Sequence, residues 1–284
     1  MRWEGGRRSE NIEDRRGLRV GGRGLLGGGL GALVVVVLAL FMGVDPAVIG
    51  NLVANAPAPQ QSRPLAEDPQ QERLKEFVAV VLADTEDTWD ALLRQAGRQY
   101  VRSRLVLFSD SVQSACGFAQ SAMGPFYCPA DQRLYLDMSF FDDLARRHGA
   151  PGDFAQAYVI AHEVAHHVQT LLGITARVHA QRQRLGEVEA NRLLMRLELQ
   201  ADCLAGVWAH HADRARGILE QGDLEEALAA VASVGDDRLQ QSSRGYVVPD
   251  SFTHGSSEQR MRWFVIGARS GDLRQCDTFS AARL

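Results

Sequence analysis

The sequence predicts a mainly helical α+β protein that contains a small β-sheet and is preceded by one membrane-spanning helix. From residue 70 onward, apolar residues recur mostly with the helical period. Two short segments differ: 104–109 is an apolar run, and 132–138 alternates between apolar and polar residues. Both patterns are typical of strands. The run 25–44 contains no charged residue and is long enough to cross about 30 Å of hydrocarbon.

The composition limits the size class of the protein and its partners. With 284 residues, of which 45% are hydrophobic, the chain can bury one large core or two small ones. Its formal net charge is only −4, so no basic excess is left over to neutralise phosphates. The charge therefore argues against nucleic acid as a partner.

The chain divides into three segments before its main domain. Residues 1–24 are rich in arginine and glycine and are expected to form a flexible basic tail. The apolar run 25–44 is expected to be an uncleaved membrane anchor, with the basic tail in the cytoplasm and the rest of the chain outside. Residues 45–69 are rich in proline and glutamine and are typical of a linker, which leaves 70–284 as the main domain.

A cleaved signal peptide is the alternative to an anchor. The sequence Ala54-Asn55-Ala56 resembles a signal-peptidase site, although it lies about ten residues beyond the apolar run. In both cases we expect the main domain outside the cytoplasmic membrane, anchored in the first case and secreted in the second.

The segment 153–172 contains two histidines with the spacing of a metal site. His162 and His166 are four residues apart, so on a helix they lie on one face and can bind the same ion. Glu163 follows the first histidine and can take a proton from a metal-activated water without binding the metal itself. This H-E-x-x-H pattern is typical of zinc-dependent peptidases.

The helical context supports this interpretation, and one alternative to it remains. Apolar residues recur through the segment, and Gly173 is a suitable residue to end the helix. The alternative is an internal helix whose histidines only form hydrogen bonds with their neighbours. His167 lies about 100° around the helix from His166, so we expect it to be structural or exposed rather than a ligand.

A catalytic zinc site needs a third protein ligand in addition to the two histidines. The extended H-E-x-x-H-x-x-G-x-x-H pattern is excluded, because Gln169 and Leu172 occupy its glycine and histidine positions. Glu198, in a later helical segment, is the best remaining candidate. Asp202 lies four residues further on and could orient a ligand histidine by accepting its free ring N–H, although the two roles could also be exchanged.

Several blocks of the sequence together resemble the neutral zinc metallopeptidase family of bacterial membrane-associated proteins, which is itself similar to the gluzincin peptidases. The resemblance extends from about Leu74 to Phe279. The blocks that carry it are Ser114-Ala115-Cys116-Gly117, Gly124 to Pro129, His162 to His167, Glu198 to Gly206, and Pro249 to Gly255.

The resemblance implies a zincin-like metallopeptidase domain in which a small sheet lies beside the metal helix. By analogy with gluzincins, it implies that zinc is held by His162, His166 and Glu198 and that Glu163 is the catalytic base. The sequence does not depart from the pattern at those positions.

The C-terminal part contains candidates for two further roles. The block that begins Thr253-His254-Gly255 and continues to Arg260 resembles a T-H-P block, followed by an arginine, in related membrane-linked gluzincins. His254 could stabilise the oxyanion formed during hydrolysis, and Arg260 could pair with Asp202. Tyr127 is a rival oxyanion donor, and a loop histidine without a catalytic role remains the alternative for His254.

All four cysteines lie outside the expected membrane segment, and their even number suits an oxidising compartment. Three pairings are possible. Cys116 with Cys128 closes a short loop, which leaves Cys203 to pair with Cys276.

The sequence therefore predicts an extracytoplasmic zinc metallopeptidase that acts on peptides or proteins and contacts the membrane through its N-terminal helix. Zn²⁺ is the expected cofactor. Two other functions remain open: a non-catalytic, metal-stabilised binding module, and a zinc hydrolase of a non-peptide amide. Glu163 beside both histidines argues against the first, because a purely structural metal site needs no base.

Overall fold

The computed structural model describes residues 1–17 and 68–284. The expected anchor 25–44, the alternative cleavage site and nearly all of the expected linker lie outside these residues. Within the two described ranges, no helix has the length and apolar character needed to cross a membrane.

Helices dominate the described part of the chain, as the sequence predicts. The first described helix starts at Pro69, and Asp68 before it accepts a hydrogen bond from the backbone N–H of Gln70 at 3.0 Å. The helices are α1 (Pro69–Gln95), α2 (Ser139–Arg146), α3 (Asp153–Leu171), α4 (Ile174–Arg182), α5 (Glu187–Arg216), α6 (Asp223–Ser233), α7 (Asp236–Arg244) and α8 (Ser257–Ser270).

The described strands form a four-stranded sheet and a separate two-stranded hairpin. They are β1 (Ile12–Asp14), β2 (Arg104–Phe108), β3 (Ser111–Ser114), β4 (Gly117–Gln120), β5 (Phe126–Cys128) and β6 (Arg133–Asp137). The order in the larger sheet is β1-β2-β6-β5, and β3 pairs with β4. β2 runs parallel to both β1 and β6, whereas β5 runs antiparallel to β6 and forms one edge.

The two central strands are the two that the sequence predicts. β2 and β6 are buried along almost their whole length, which explains the apolar run in the first and the many apolar residues in the second. A buried parallel pair needs a connection that crosses over, and the hairpin β3–β4 and strand β5 occupy it. The resulting sheet lies against α3 through β5 and β6.

The N-terminal residues correct one expectation. Residues 1–17 are not a free basic tail, because Ile12–Asp14 form strand β1 beside β2. The Arg16 guanidinium donates to the carboxylates of Asp14 and Glu72 at 2.6 and 2.8 Å, so its charge is neutralised within the fold. Arginine content alone suggested solvated charge, but acidic residues of α1 and of the segment itself supply the partners.

A short non-helical segment, 217–222, separates α5 from α6 and α7. Gly217 adopts a φ of 61°, the left-handed conformation that commonly ends a helix, so α5 stops there.

Two glycines let α5 and α8 pack with their backbones in close contact. A Cβ atom on Gly206 would lie 2.2 Å from the Phe264 carbonyl oxygen, and one on Gly267 would lie 1.9 Å from the Cys203 carbonyl oxygen. Both predicted disulfides are present, and Cys203–Cys276 ties α5 to the segment after α8. These contacts hold α8 beside the helix that carries the predicted third ligand.

Gly267→Ala should destabilise the protein, because the added methyl group would overlap the backbone of α5. We expect a loss of about 1–3 kcal/mol in the free energy of unfolding, measured by urea denaturation. Arg269→Ala, at an exposed position of the same helix, is the control and should leave stability nearly unchanged. Equal stability of the two variants would show that the two helices do not pack this closely.

Candidate metal centre

The three predicted ligands meet at one point. Nε2 of His162 and Nε2 of His166 each lie 3.3 Å from Oε2 of Glu198. One donor atom from each residue lies within 4.8 Å of the other two, so a single ion can reach all three. Two imidazoles and one carboxylate with an open fourth position form a donor set typical of catalytic zinc. The residues present therefore fit a zinc ion.

Helix α3 presents both histidines from one face, and a glutamine holds the second ring. Nδ1 of His166 lies 2.8 Å from Oε1 of Gln169, so it can donate to that amide oxygen and leave Nε2 free as the donor atom for a metal. The Gln169 amide nitrogen in turn donates to the Leu197 carbonyl oxygen at 2.7 Å and to the Gln200 side chain at 3.1 Å. Gln169 thus links the metal helix to α5, a role that the sequence analysis missed.

A buried ion pair lies directly behind the metal ligands. The Arg260 guanidinium donates to both carboxylate oxygens of Asp202, at 2.8 and 2.9 Å, in the bidentate geometry that arginine favours. The Tyr158 hydroxyl donates to Oδ1 of Asp202 at 2.5 Å. Asp202 is 0% exposed and Arg260 3% exposed. Each charge would therefore be strongly unfavourable at this position without the other.

The same carboxylate touches a ligand histidine. Nδ1 of His162 lies 2.9 Å from Oδ1 of Asp202, although the ring N–H is not aligned well enough to form a hydrogen bond. The contact is close enough to favour the tautomer with the proton on Nδ1, which leaves Nε2 for a metal. Glu198 faces both histidines, and Asp202 lies behind one of them. The geometry therefore favours Glu198 as the third ligand and Asp202 as the residue that orients His162, and not the exchanged roles.

The charges at this centre favour a bound cation. Burial alone would raise the pKa of Glu198, but His166 and His162 hold it well below its usual range. Burial alone would lower the pKa of His162, but Asp202 and Glu198 raise it to about 10. For Asp202, Arg260 and His162 outweigh burial and lower the pKa to about 2. The pocket thus stabilises positive charge, which protons or a metal ion can supply.

Glu163 lies in the same cleft and is suited to accept a proton. Its side chain is only partly exposed, and burial raises its pKa above the usual value against the opposing effect of the two histidines. A carboxylate with a raised pKa is a stronger base than an ordinary glutamate. Glu163 therefore has both the position and the basicity that the sequence analysis expects of a catalytic base.

His254 lines the cleft and is held by an aspartate that the sequence analysis missed. The Asp236 carboxylate accepts backbone N–H groups from Thr253, His254 and Gly255 at 2.8, 2.7 and 3.0 Å. Its other oxygen lies 3.2 Å from Nδ1 of His254. Burial would lower the pKa of His254, but Asp236 and Glu198 raise it. Asp236 stands at the start of α7, so only the tertiary fold brings it to this loop.

Tyr127, the rival oxyanion donor, is engaged elsewhere. Its hydroxyl lies 3.0 Å from Nδ1 of His167, whose Nε2 lies 2.6 Å from the Val101 carbonyl oxygen. A carbonyl oxygen only accepts, so Nε2 carries the ring proton and a neutral His167 accepts the hydroxyl proton of Tyr127. His167 is therefore buried and structural, which is one of the two roles expected from the sequence, and the Tyr127 hydroxyl is not free to donate into the cleft.

The sequence matches a known family along nearly its whole length. A family model described as "Putative neutral zinc metallopeptidase" matches residues 1–279. The chain belongs to this family. The match confirms the resemblance that the sequence blocks carry, and it includes the N-terminal residues that form strand β1.

Relatives extend over the same length. The chain is 50% identical to the protein YpfJ of Escherichia coli (strain K12) over 287 residues, which cover 98% of this chain and 99% of that protein. It is 42% identical to the protein Rv2575 of Mycobacterium tuberculosis (strain ATCC 25618 / H37Rv) over 261 residues, which cover 87% and 86%. Both relatives are named as uncharacterized proteins, so they add to the family assignment and not to the activity. No solved structure matches the chain.

Asp202→Asn should weaken both the fold and the metal site, because it leaves the Arg260 charge buried without its partner. We expect a loss of about 3–5 kcal/mol in the free energy of unfolding. Zinc affinity, measured by competition with a chelator, should fall about 10–100-fold because the ring of His162 loses its support.

The control for this substitution is Asp250→Asn, which removes an aspartate whose ion pair with Arg192 is exposed to solvent. It should leave both quantities unchanged. A stable Asp202→Asn variant with normal zinc affinity would contradict the role given to the buried ion pair.

Proposed function

We propose that this chain is a zinc-dependent peptide hydrolase that acts outside the cytoplasmic membrane. The observation that carries the proposal is the meeting of His162, His166 and Glu198 in an open cleft with Glu163 beside them. Bound zinc would supply Lewis acidity there, polarising a carbonyl group and making water a stronger acid. The remaining steps fall to side chains of this chain.

Glu163 would act as the general base and then as the general acid. It would take a proton from the attacking water and pass it to the nitrogen of the leaving amine. Its raised pKa supports both steps, because the carboxyl group holds the proton more readily than an ordinary glutamate does. A metal site with only a structural role would need no such residue.

His254 would stabilise the negative charge that develops on the carbonyl oxygen. It has a raised pKa, and Asp236 fixes its ring through Nδ1, which leaves Nε2 to donate. The side chain is 49% exposed, so a substrate can reach it. Asp236 would be a positioning residue, because it acts only through His254.

The cleft has features that suit an extended peptide. Strand β5 forms an edge of the sheet and lines the cleft, so its outer side could pair with a substrate strand. Nearby apolar side chains could bind a substrate side chain; they are Met123, Phe126, Phe140, Val159 and Leu239. Met123 is 71% exposed, which is unusual for a large apolar residue and consistent with a binding role.

The compartment is part of the proposal. Two disulfides, Cys116–Cys128 and Cys203–Cys276, support an oxidising environment such as the space outside the cytoplasmic membrane. Contact with the membrane through the apolar run 25–44 remains a prediction, since that run lies outside the described residues.

Glu163→Gln is the direct test of the proposed reaction. The amide cannot accept the proton, so kcat/KM on a library of quenched fluorescent peptides should fall at least about 100-fold. Zinc content should stay at the wild-type level, because Glu163 is not a ligand. Glu258→Gln on the exposed face of α8 is the matched control and should keep full activity.

Two outcomes would contradict this assignment. Full activity of Glu163→Gln would remove Glu163 from the reaction, and loss of zinc would make it a ligand. If the wild-type protein cleaves simple non-peptide amides but no peptide, the substrate class proposed here would be wrong while the zinc chemistry would stand.

His254→Ala should separate transition-state stabilisation from substrate binding. We expect kcat to fall about 100–1,000-fold with little change in KM, because the oxyanion exists only during the reaction. His179→Ala, at an exposed position of α4, is the control and should behave like the wild type. An unchanged kcat in His254→Ala would show that His254 is a loop histidine without a catalytic role.

A further inference from the structure

We infer that residues 1–17 are an integral part of the folded domain and lie on the same side of any membrane as residues 68–284. The inference does not depend on the proposed hydrolytic activity. It rests on four kinds of contact between the two described ranges: a strand pairing, a buried carboxylate, apolar packing and a set of surface ion pairs.

The strand pairing is continuous and regular. Ile12, Glu13 and Asp14 of β1 stand opposite Leu105, Val106 and Leu107 of β2. The ladder extends beyond the strand at both ends: the backbone N–H of Leu105 donates to the Asn11 carbonyl oxygen at 2.8 Å, and that of Arg15 donates to the Leu107 carbonyl oxygen at 2.7 Å. Without β1, strand β2 would leave these backbone groups unpaired at a sheet edge.

A buried carboxylate on α1 finds its partners in the N-terminal segment. The Glu86 side chain is 0% exposed and accepts hydrogen bonds from Ser9 at 2.6 Å, from Asn11 at 2.7 Å and from Arg7 at 3.0 Å. In the main domain, Arg102 is farther away, at 3.9 Å. A buried charge without partners is strongly unfavourable, so Glu86 on α1 needs the N-terminal segment to supply its hydrogen-bond donors.

Apolar contacts join the same two parts. The Trp3 ring lies 5.4 Å from the ring of Phe77 in an edge-to-face arrangement, and the Met1 side chain is buried. A Cβ atom on Gly6 would lie 2.6 Å from a methyl group of Val80, so the backbone of the segment lies directly on α1. The segment is therefore packed against the core.

Ion pairs account for four of the five arginines in residues 1–17, which are Arg7, Arg8, Arg15 and Arg16. Arg7 pairs with Asp87 at 2.8 Å, and Arg8 pairs with Glu76. Together with Arg16 and Glu72, these pairs place the positive charges of the segment against the acidic face of α1. Since the arginines have partners in the fold, their number is weak evidence that the segment stays in the cytoplasm.

These contacts restrict the membrane topology of the chain. A single membrane crossing between residues 17 and 68 would put β1 and β2 in different compartments, and none of these contacts could form. The arrangement expected from the sequence, with residues 1–24 inside and the main domain outside, is incompatible with them. Both described parts must share one compartment.

Cysteine labelling of the full chain tests this directly. All four native cysteines are in disulfides, so Glu10→Cys in the segment and Tyr246→Cys in the main domain each introduce one exposed thiol. Spheroplasts that produce either variant are treated with a membrane-impermeant maleimide, before and after lysis. We expect the same ratio of labelling before and after lysis at both positions, whether high or low. Labelling of one position before lysis and of the other only afterwards would overturn the inference.

A stability measurement tests the contact itself without reference to a membrane. The double variant Ser9→Ala, Asn11→Ala removes two of the hydrogen bonds to Glu86. The temperature of unfolding of the full chain should fall by roughly 5 °C or more, because hydrogen bonds to a buried charge are among the strong ones. Glu10→Ala, between the two positions and exposed, is the control. Equal unfolding temperatures would overturn the inference, and neither experiment uses hydrolytic activity as its readout.

Discussion

The buried ion pair between Asp202 and Arg260 is the interaction on which the metal site depends. It joins α5 to α8, and through Tyr158 and His162 it reaches α3, so three helices are fixed at the point where the ligands project. Neither charge is stable in the interior without the other. The close packing of α5 on α8 and the nearby disulfide place Arg260 where this pair can form.

One C-terminal region serves both sides of the proposed site. Asp236 on α7 holds the His254 loop at the mouth of the cleft, while Arg260 on α8 lies behind the ligands. Asp236 orients a side chain that can touch substrate, whereas Arg260 keeps the ligand helices in register. A substitution of Asp236 would therefore affect the reaction rate, and a substitution of Arg260 would affect the metal affinity.

Most of the features that could be predicted from the sequence are local. The four-residue spacing of the histidines, the helix around them and strands β2 and β6 follow from periodicity. Glu198 follows from the need for a third ligand, and Asp202 from its position four residues further along the same helical segment. Asp236, Gln169 and strand β1 could not be predicted in this way, because their partners are distant in sequence or are common residues without a motif. Arginine content was misleading for residues 1–17, since composition does not show which charges find partners.

The proposed reaction requires that His162, His166 and Glu198 together bind one catalytic zinc ion. The most direct test is the metal content of the purified full chain, measured by mass spectrometry beside that of Glu198→Ala after both are reconstituted with zinc and dialysed. A zinc site shared by these three residues predicts about one zinc per wild-type chain and a large loss in the variant, because two histidines alone hold the ion weakly. A wild-type chain that retains no zinc, or a variant that retains as much as the wild type, would contradict it.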